Sequence, residues 1–317
     1  MSKLEELINE LCPDGVEYKK IGDVCDILRG KRLTKKELSD EGKYPVLHGG
    51  SSPMGYYNEY NRKANTTVVV NTGNAGSVFF YDKEFWSSDA CFSIYPKDCL
   101  RDKFIFFFLS SNEHKLKSRI RYGAMPTIDS LALETIKIPV PPLEVQDEIV
   151  KILDNFTELT AELTAELTAR QKQYSFYRDY LLDFADEDIT KKIPDIDCSN
   201  VEYKKLGDIA DITRGGKFQK KDFVEQGKPC IHYGQIYTRL GITTQEPITY
   251  LNNDVYNKSK KAVPKDIVMA VTSENVEDVC KCTVWVGNED IAVSGHTAII
   301  HPIINSKFLA YYFQTTM

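Results

Sequence analysis

The sequence predicts an α+β protein, with two similar mixed α/β domains joined by a long helix of coiled-coil type. Three observations predict it. The stretch VEYKKIGDVCDILRGKRLTKKEL (Val16–Leu38) returns 185 residues later as VEYKKLGDIADITRGGKFQKKDF (Val201–Phe223), identical at 13 of 23 positions. Short β-branched and aromatic runs bounded by Gly and Asn follow each copy, as strands require. Between the copies, apolar residues recur instead every three or four positions, the mark of a helix. A chain of 317 residues has room for two ordinary domains, each with its own core.

In the first copy, TTVVV (Thr66–Val70) and SVFFY (Ser77–Tyr81) read as strands around a hairpin turn, NTGNAG (Asn71–Gly76). DKFIFFFLSSNEHKLKSRI, from Asp102, reads as one buried helix with a basic exit. The second copy answers piece by piece. QGKPCIHYGQ (Gln226–Gln235) matches EGKYPVLHGG (Glu41–Gly50), and SGHTAIIHP ending at Pro302 matches SDACFSIYP ending at Pro96. SKFLAYYFQTT, from Ser306, matches DKFIFFFLSSN, and CTVWV (Cys282–Val286) is a further strand. The relation is a tandem duplication with diverged loops. The expected domains are residues 1–142, a helix over 143–190, and 191–317. Nothing answers first-copy residues 113–185, so the chain reads either as truncated within the second copy or as completed by a helix from another molecule.

The helix is entered through the prolines of IPVPPL (Ile138–Leu143), which suit a helix start. Its apolar seam comprises Val145, Ile149, Ile152, Phe156, Leu159, Leu163, Leu167, Tyr174, Tyr177 and Leu181. The spacing alternates four and three up to Leu163, then becomes four and four where TAEL is written twice, at Thr160–Leu163 and Thr164–Leu167. A single amphipathic helix must bury such a stripe against another helix.

Charge is partitioned along the chain. The net charge is -6, yet residues 143–190 hold twelve acids and four bases, which leaves the remainder at +2. Residues 16–36 carry seven bases against three acids, residues 201–221 six against three, and residues 103–122 five against one. Positive charge recurs at equivalent places in the copies, as a phosphate-binding surface needs. Eight scattered cysteines without a CxxC pair imply reduced, buried thiols and no metal. No stretch approaches the ~20 apolar residues of a membrane span. The start, MSKLEELINELCPDG, lacks the apolar core of a signal peptide, so a cytoplasmic protein is expected.

Two patterns imitate catalytic motifs. PDGVEYK (Pro13–Lys19) and PDIDCSNVEYK (Pro194–Lys204) look like the PD…ExK of metal-dependent nucleases. That chemistry needs a strand turn between PD and ExK, and the two residues between Asp14 and Glu17 in the first copy leave no room for one. NTGNAG is neither a P-loop nor a GxGxxG before a helix. No catalytic constellation emerges.

The two VEYKKIGDVCDILRG-like openings, IPVPPLEVQDEIVKIL leading into a long helix, and the doubled TAEL together resemble the specificity subunits of type I restriction–modification systems. The resemblance covers essentially the whole chain. It implies a non-catalytic, sequence-specific DNA-recognition subunit with two target-recognition domains, each reading one half of a bipartite target. The helix would set the spacing and dock two methyltransferase subunits, with restriction/translocase subunits joining. S-adenosylmethionine, ATP and Mg would belong to those partners, with no cofactor in this chain. Pairing of two chains through the helix would compensate for a truncation. A metal-dependent nuclease and a protein-binding scaffold with two repeats are the alternatives.

Under this resemblance the phosphate-contact candidates are Arg29, Lys31, Arg32, Lys35, Lys36, Arg119 and Arg121 in the first copy. Arg214, Lys217, Lys220 and Lys221 are theirs in the second. Loop residues able to meet base edges in the major groove are His48, Asn71, Thr72 and Asn74, then His232, Tyr233, Gln235, Tyr237, Arg239, Ser273 and Asn275.

Overall fold

The structure, a computed structural model, describes residues 2–39, 41–50, 52–184 and 201–315. The chain divides into two compact units, residues 1–164 and 165–317, with the boundary inside the long helix. The expected boundary near residue 190 lies outside the described residues.

The first unit opens with α1 (Lys3–Leu11), started by a capping box between Ser2 and Glu5. β1 (Tyr18–Lys20) pairs antiparallel with β9 (Lys137–Pro139), and the single turn α2 (Ile21–Val24) leads into the main sheet. In that sheet β2 (Cys25–Arg29), β8 (Cys91–Pro96), β5 (Thr66–Val70) and β6 (Val78–Tyr81) lie in this order, antiparallel throughout. TTVVV is buried at all five positions. Val69 faces the core of Ile94, Ile105, Leu109, Leu133 and Ile138, whereas Val68 and Val70 face Leu47, Phe85 and Cys91. Both faces of the strand are covered, so its sequence runs apolar without alternating. A smaller sheet sets β3 (Tyr44–Leu47) between antiparallel β4 (Gly55–Tyr57) and parallel β7 (Trp86–Ser87).

The single buried helix expected from Asp102 is two helices, α3 (Asp102–Ser111) and α4 (Glu113–Lys117). Asn112 divides them: its side-chain amide donates to the Phe108 carbonyl oxygen at 2.8 Å, a local bond that competes with helix continuation. α5 (Ser130–Glu134), capped by Asp129, then leads into β9.

The long helix, α6 (Leu143–Leu182), runs 40 residues, about 60 Å at the α-helical rise. Its seam falls into two parts. Val145 is buried at 2 % exposure, Ile149 packs against the first unit's core, and Ile152 is half-buried. The neighbouring Gln146 is fully buried. It accepts from the Arg101 N–H and donates to the carbonyl oxygens of Cys99 and Pro141. From Phe156 onward the stripe emerges: Phe156 is 63 % exposed, Leu163 58 % and Leu167 59 %. Leu159, Tyr174, Tyr177 and Leu181 are exposed as well.

The second unit repeats the main sheet. β10 (Ala210–Arg214), β19 (Thr297–Pro302), β16 (Ile267–Ala270) and β17 (Cys282–Trp285) keep the order of the first unit, with β13 (Thr243–Thr244) added in parallel beside β17. The register is kept too. Cys25 lies opposite Pro96 and Ala210 opposite Pro302, while Arg29 lies opposite Phe92 and Arg214 opposite Ala298. A second sheet places β12 (Lys228–Ile231) between antiparallel β14 (Thr249–Leu251) and parallel β18 (Ile291–Val293), with β11 (Phe223–Val224) and β15 (Lys261–Ala262) at its edges. The copies differ at VEYKK. Residues 201–205 form no strand, because β9, the partner of β1, has no counterpart among the described residues of this unit.

Candidate nucleic-acid interface

The Arg-Gly dipeptide that ends the first strand of each main sheet does the same work twice. Arg29 Nε donates to the carbonyl oxygen of Asp89 at 2.9 Å, and Arg214 Nε donates to that of Gly295 at 2.9 Å. A Cβ on Gly30 would lie 2.1 Å from the Ser88 carbonyl oxygen, and one on Gly215 would lie 2.0 Å from that of Ser294. Only glycine admits that approach. The clamped turn follows the parallel strand of the other sheet in both units. There Ser88 N–H donates to Leu47 and Ser294 N–H to Ile231, each at 3.0 Å. Ser88 Oγ meets His48 Nδ1 at 2.9 Å, and Ser294 Oγ accepts from the Tyr233 N–H at 2.9 Å.

Six residues after each clamping arginine the chain makes a basic 3-10 turn. Lys35 and Lys36 sit on Lys35–Glu37, which is tied back by Thr34 N–H to Glu37 Oε2 at 2.7 Å. Lys220 and Lys221 sit on Lys220–Asp222, which is tied back by Gln219 N–H to Asp222 Oδ2 at 2.8 Å. These four, with Lys31, Arg32 and Lys217, are exposed and form no ion pair among the described residues. The lysines and arginines that serve the fold are paired: Arg101 with Asp147 at 2.8 Å, Lys103 with Asp154 at 2.7 Å, Lys117 with Glu113 at 2.6 Å.

In the first unit three loops meet beside the clamp. The Asn74 N–H donates to Gly49 next to exposed His48, Thr72 forms a bridge with Thr127, and Thr127 pairs in turn with Arg121. Asn74 is exposed and Thr72 half-buried. Three sequence candidates are used otherwise. Asn71 is 3 % exposed and its amide donates to Asp89 O at 3.1 Å, so it holds the loop and offers no free edge to a base. Its Oδ1 is buried without a partner, as is Ser87 Oγ. Arg119 is committed to Ala132 O and Thr135 Oγ1, and Arg121 to Asp129, because both anchor their loop to α5. That loop presents two residues the sequence reading passed over, Tyr122 at 82 % and Met125 at 59 % exposure. The flanking Arg119 and Arg121 were the visible signal.

In the second unit the helix α7 (Tyr233–Thr238) lies against the clamped turn, and its start consumes two candidates. His232, 7 % exposed, accepts from the Gly234 N–H through Nδ1, and the Gln235 side chain accepts from the His232 N–H at 2.9 Å while donating to Thr249 Oγ1 at 3.1 Å. Both therefore cap the helix. Burial, with the nearby charges of Lys220 and His296, pushes His232 below the ordinary histidine value. The Tyr233 ring lies tilted against those of His232 and His296, with ring centroids 4.4 and 5.1 Å away. Tyr237 is half-buried near Tyr233, and Arg239 is exposed just past the helix. Ser273 and Asn275 lie on the β16–β17 loop, the counterpart of the Asn71–Ser77 loop, where Ser273 Oγ accepts from the Asn275 N–H at 3.3 Å.

Among the described residues no three His, Cys, Asp or Glu side chains come together as metal ligands, and Glu17 of the nuclease-like pattern pairs with Lys19. Seven described cysteines are free thiols, and burial pushes Cys25, Cys91 and Cys282 up to about 12, far from nucleophilic use. No described helix is long and apolar enough to cross a membrane.

Two units of one strand order, each carrying an arginine-clamped turn and an unpaired basic turn, define a tandem-duplicated α/β protein with a long helix. The model of the type I restriction modification DNA specificity domain matches residues 13–170. The specificity subunit of a type I restriction enzyme from Methanocaldococcus jannaschii is 28 % identical over 280 residues, covering 82 % of this chain and 64 % of that protein. A Mycoplasma pneumoniae protein named as a type I specificity subunit is 35 % identical over 191 residues, covering 55 % of this chain and 52 % of the relative. The chain thus spans between half and two thirds of these relatives' lengths. Among solved structures, the S subunit of a type I restriction–modification system from M. genitalium shares the fold, with a TM-score of 0.61 at 18 % identity over 94 % of this chain and 78 % of that one. The chain belongs to the family of type I restriction–modification specificity subunits.

Proposed function

We propose that this chain selects DNA sequence for a type I restriction–modification assembly and performs no chemistry itself. The carrying observation is the repetition of one device: a glycine-dependent, arginine-clamped turn and an exposed lysine pair, present in both units at the same register. Unpaired lysines suit the phosphates of the backbone, and the loops around the clamp suit base edges in the major groove. Each unit then reads one half of a bipartite target. α6 sets the half-site spacing, and its acidic surface docks modification subunits rather than lying along phosphate. S-adenosylmethionine, ATP and Mg are handled by those partners in the cytoplasm. The exposed stripe from Phe156 to Leu167 supports a helix-to-helix contact, either with a partner subunit or with a second copy of this chain.

Gel shifts of the chain with and without its cognate modification subunit test this. Weak, salt-sensitive binding alone and sequence-selective binding in the complex are expected. Metal-dependent cleavage by the chain alone would favour the nuclease alternative, and absence of any salt-sensitive DNA binding would favour a protein-binding scaffold.

A further inference from the structure

We infer, on the strength of the DNA-recognition reading above, that His296 is a specificity-determining residue of the second unit, an imidazole fixed in advance to read one base edge. The two units differ at the clamped turn. It reads Ser88-Asp89-Ala90 in the first and Ser294-Gly295-His296 in the second. The serine and the arginine clamp are shared, whereas the third residue is not: Ala90 is buried at 4 % exposure and His296 is exposed. A duplicated reader keeps the residues that build its frame and changes those that meet the base.

His296 is held from three sides. The Val271 N–H donates to its carbonyl oxygen at 3.1 Å, Thr272 Oγ1 meets its Nδ1 at 3.1 Å, and its ring lies 5.1 Å from that of Tyr233. An exposed ring fixed in this way loses little rotamer freedom on binding. With Nδ1 engaged, Nε2 has no hydrogen-bond partner among the described residues. It donates when the Thr272 hydroxyl donates to Nδ1, which suits guanine N7 or O6 or thymine O4. It accepts in the opposite tautomer, which suits the amino group of adenine or cytosine.

The test uses the full chain expressed with its cognate modification subunit, with methylated adenines mapped across the host genome. Wild type is compared with His296→Ala, His296→Asn, Thr272→Val and the double variant Lys35→Ala/Lys36→Ala. His296→Ala should make the motif degenerate at one base pair of one half-site, leave the other half unchanged, and weaken binding to the wild-type target about tenfold. Thr272→Val should give a milder form of the same change, and His296→Asn should restore part of the discrimination. An unchanged motif with His296→Ala overturns the inference, as does a uniform loss of binding with a lowered thermal midpoint, which marks a structural role. If the double lysine variant weakens binding to all sequences while His296→Ala changes nothing, only His296 is wrong. If wild type itself shows no sequence-defined methylation or binding, the DNA-recognition reading falls, and His296 with it.

Discussion

At the scale of single residues, the Arg-Gly pair separates two meanings of one repeated text. Arg29 and Arg214 read from sequence as phosphate contacts, yet each spends its Nε on a carbonyl oxygen of the turn it clamps. The glycines beside them leave no room for a methyl group. Gly30→Ala and Gly215→Ala should each destabilise their own unit by roughly 2 kcal/mol or more, since the overlap is with backbone that cannot give way. Chemical denaturation followed by a probe in each unit measures this, and a change within experimental error would show that the turn can move. A second outcome concerns protons. Because His232 is held below the ordinary histidine value of 6.5, the unfolded chain binds that proton more readily than the folded one. Its stability contribution is complete above that pH and is lost as pH falls below it. Thermal midpoints between pH 7.5 and 5 should fall with acid in the wild type, and less steeply in His232→Gln.

At the scale of elements, the two basic 3-10 turns and α6 carry separable tasks. Replacing Lys35 and Lys36 by Ala should weaken DNA binding about equally for all sequences and reduce the salt slope by about two. Lys220→Ala/Lys221→Ala should do the same, because the turn is built the same way, and titrations at several salt concentrations read both. In α6, deleting one TAEL shortens the helix by about 6 Å and turns one end by about 40°, against ~3.4 Å and ~35° per base pair. The methylated motif should keep both half-sites and change its spacer by one or two base pairs. A motif with altered halves and an unaltered spacer would count against the helix as the measure of distance. Leu159→Glu and Leu163→Glu, both on the exposed stripe, should reduce association with the modification subunit or a second chain, as sedimentation reads directly, without lowering the thermal midpoint of either unit.

At the scale of the whole molecule, the duplication was legible in the sequence because equivalent residues must make equivalent bonds. The matched endings at Pro96 and Pro302 are the same register position, opposite Cys25 and Ala210. The long helix was legible from its spacing, and TTVVV from its β-branched run. What could not be read is where a side chain goes once its loop closes. Asn71, His232 and Gln235 look like any exposed polar loop residue, but backbone groups around them claim their hydrogen bonds. Val145 and Ile149 fit the helical seam by spacing, and only the structure shows Val145 buried and Ile149 packed against the first unit's core. His296 was missed because its counterpart is an alanine, so the echo between copies is silent there.

A clamp made from one strand end and one turn has a consequence for heredity. Arg29 with Gly30, and Arg214 with Gly215, hold the turn from a distant part of the chain, so codons at its tip can change without touching that hold. Under the proposed function, such a gene would acquire a new preference by exchanging short stretches, much as a lock is re-keyed by changing its pins and leaving the cylinder in place.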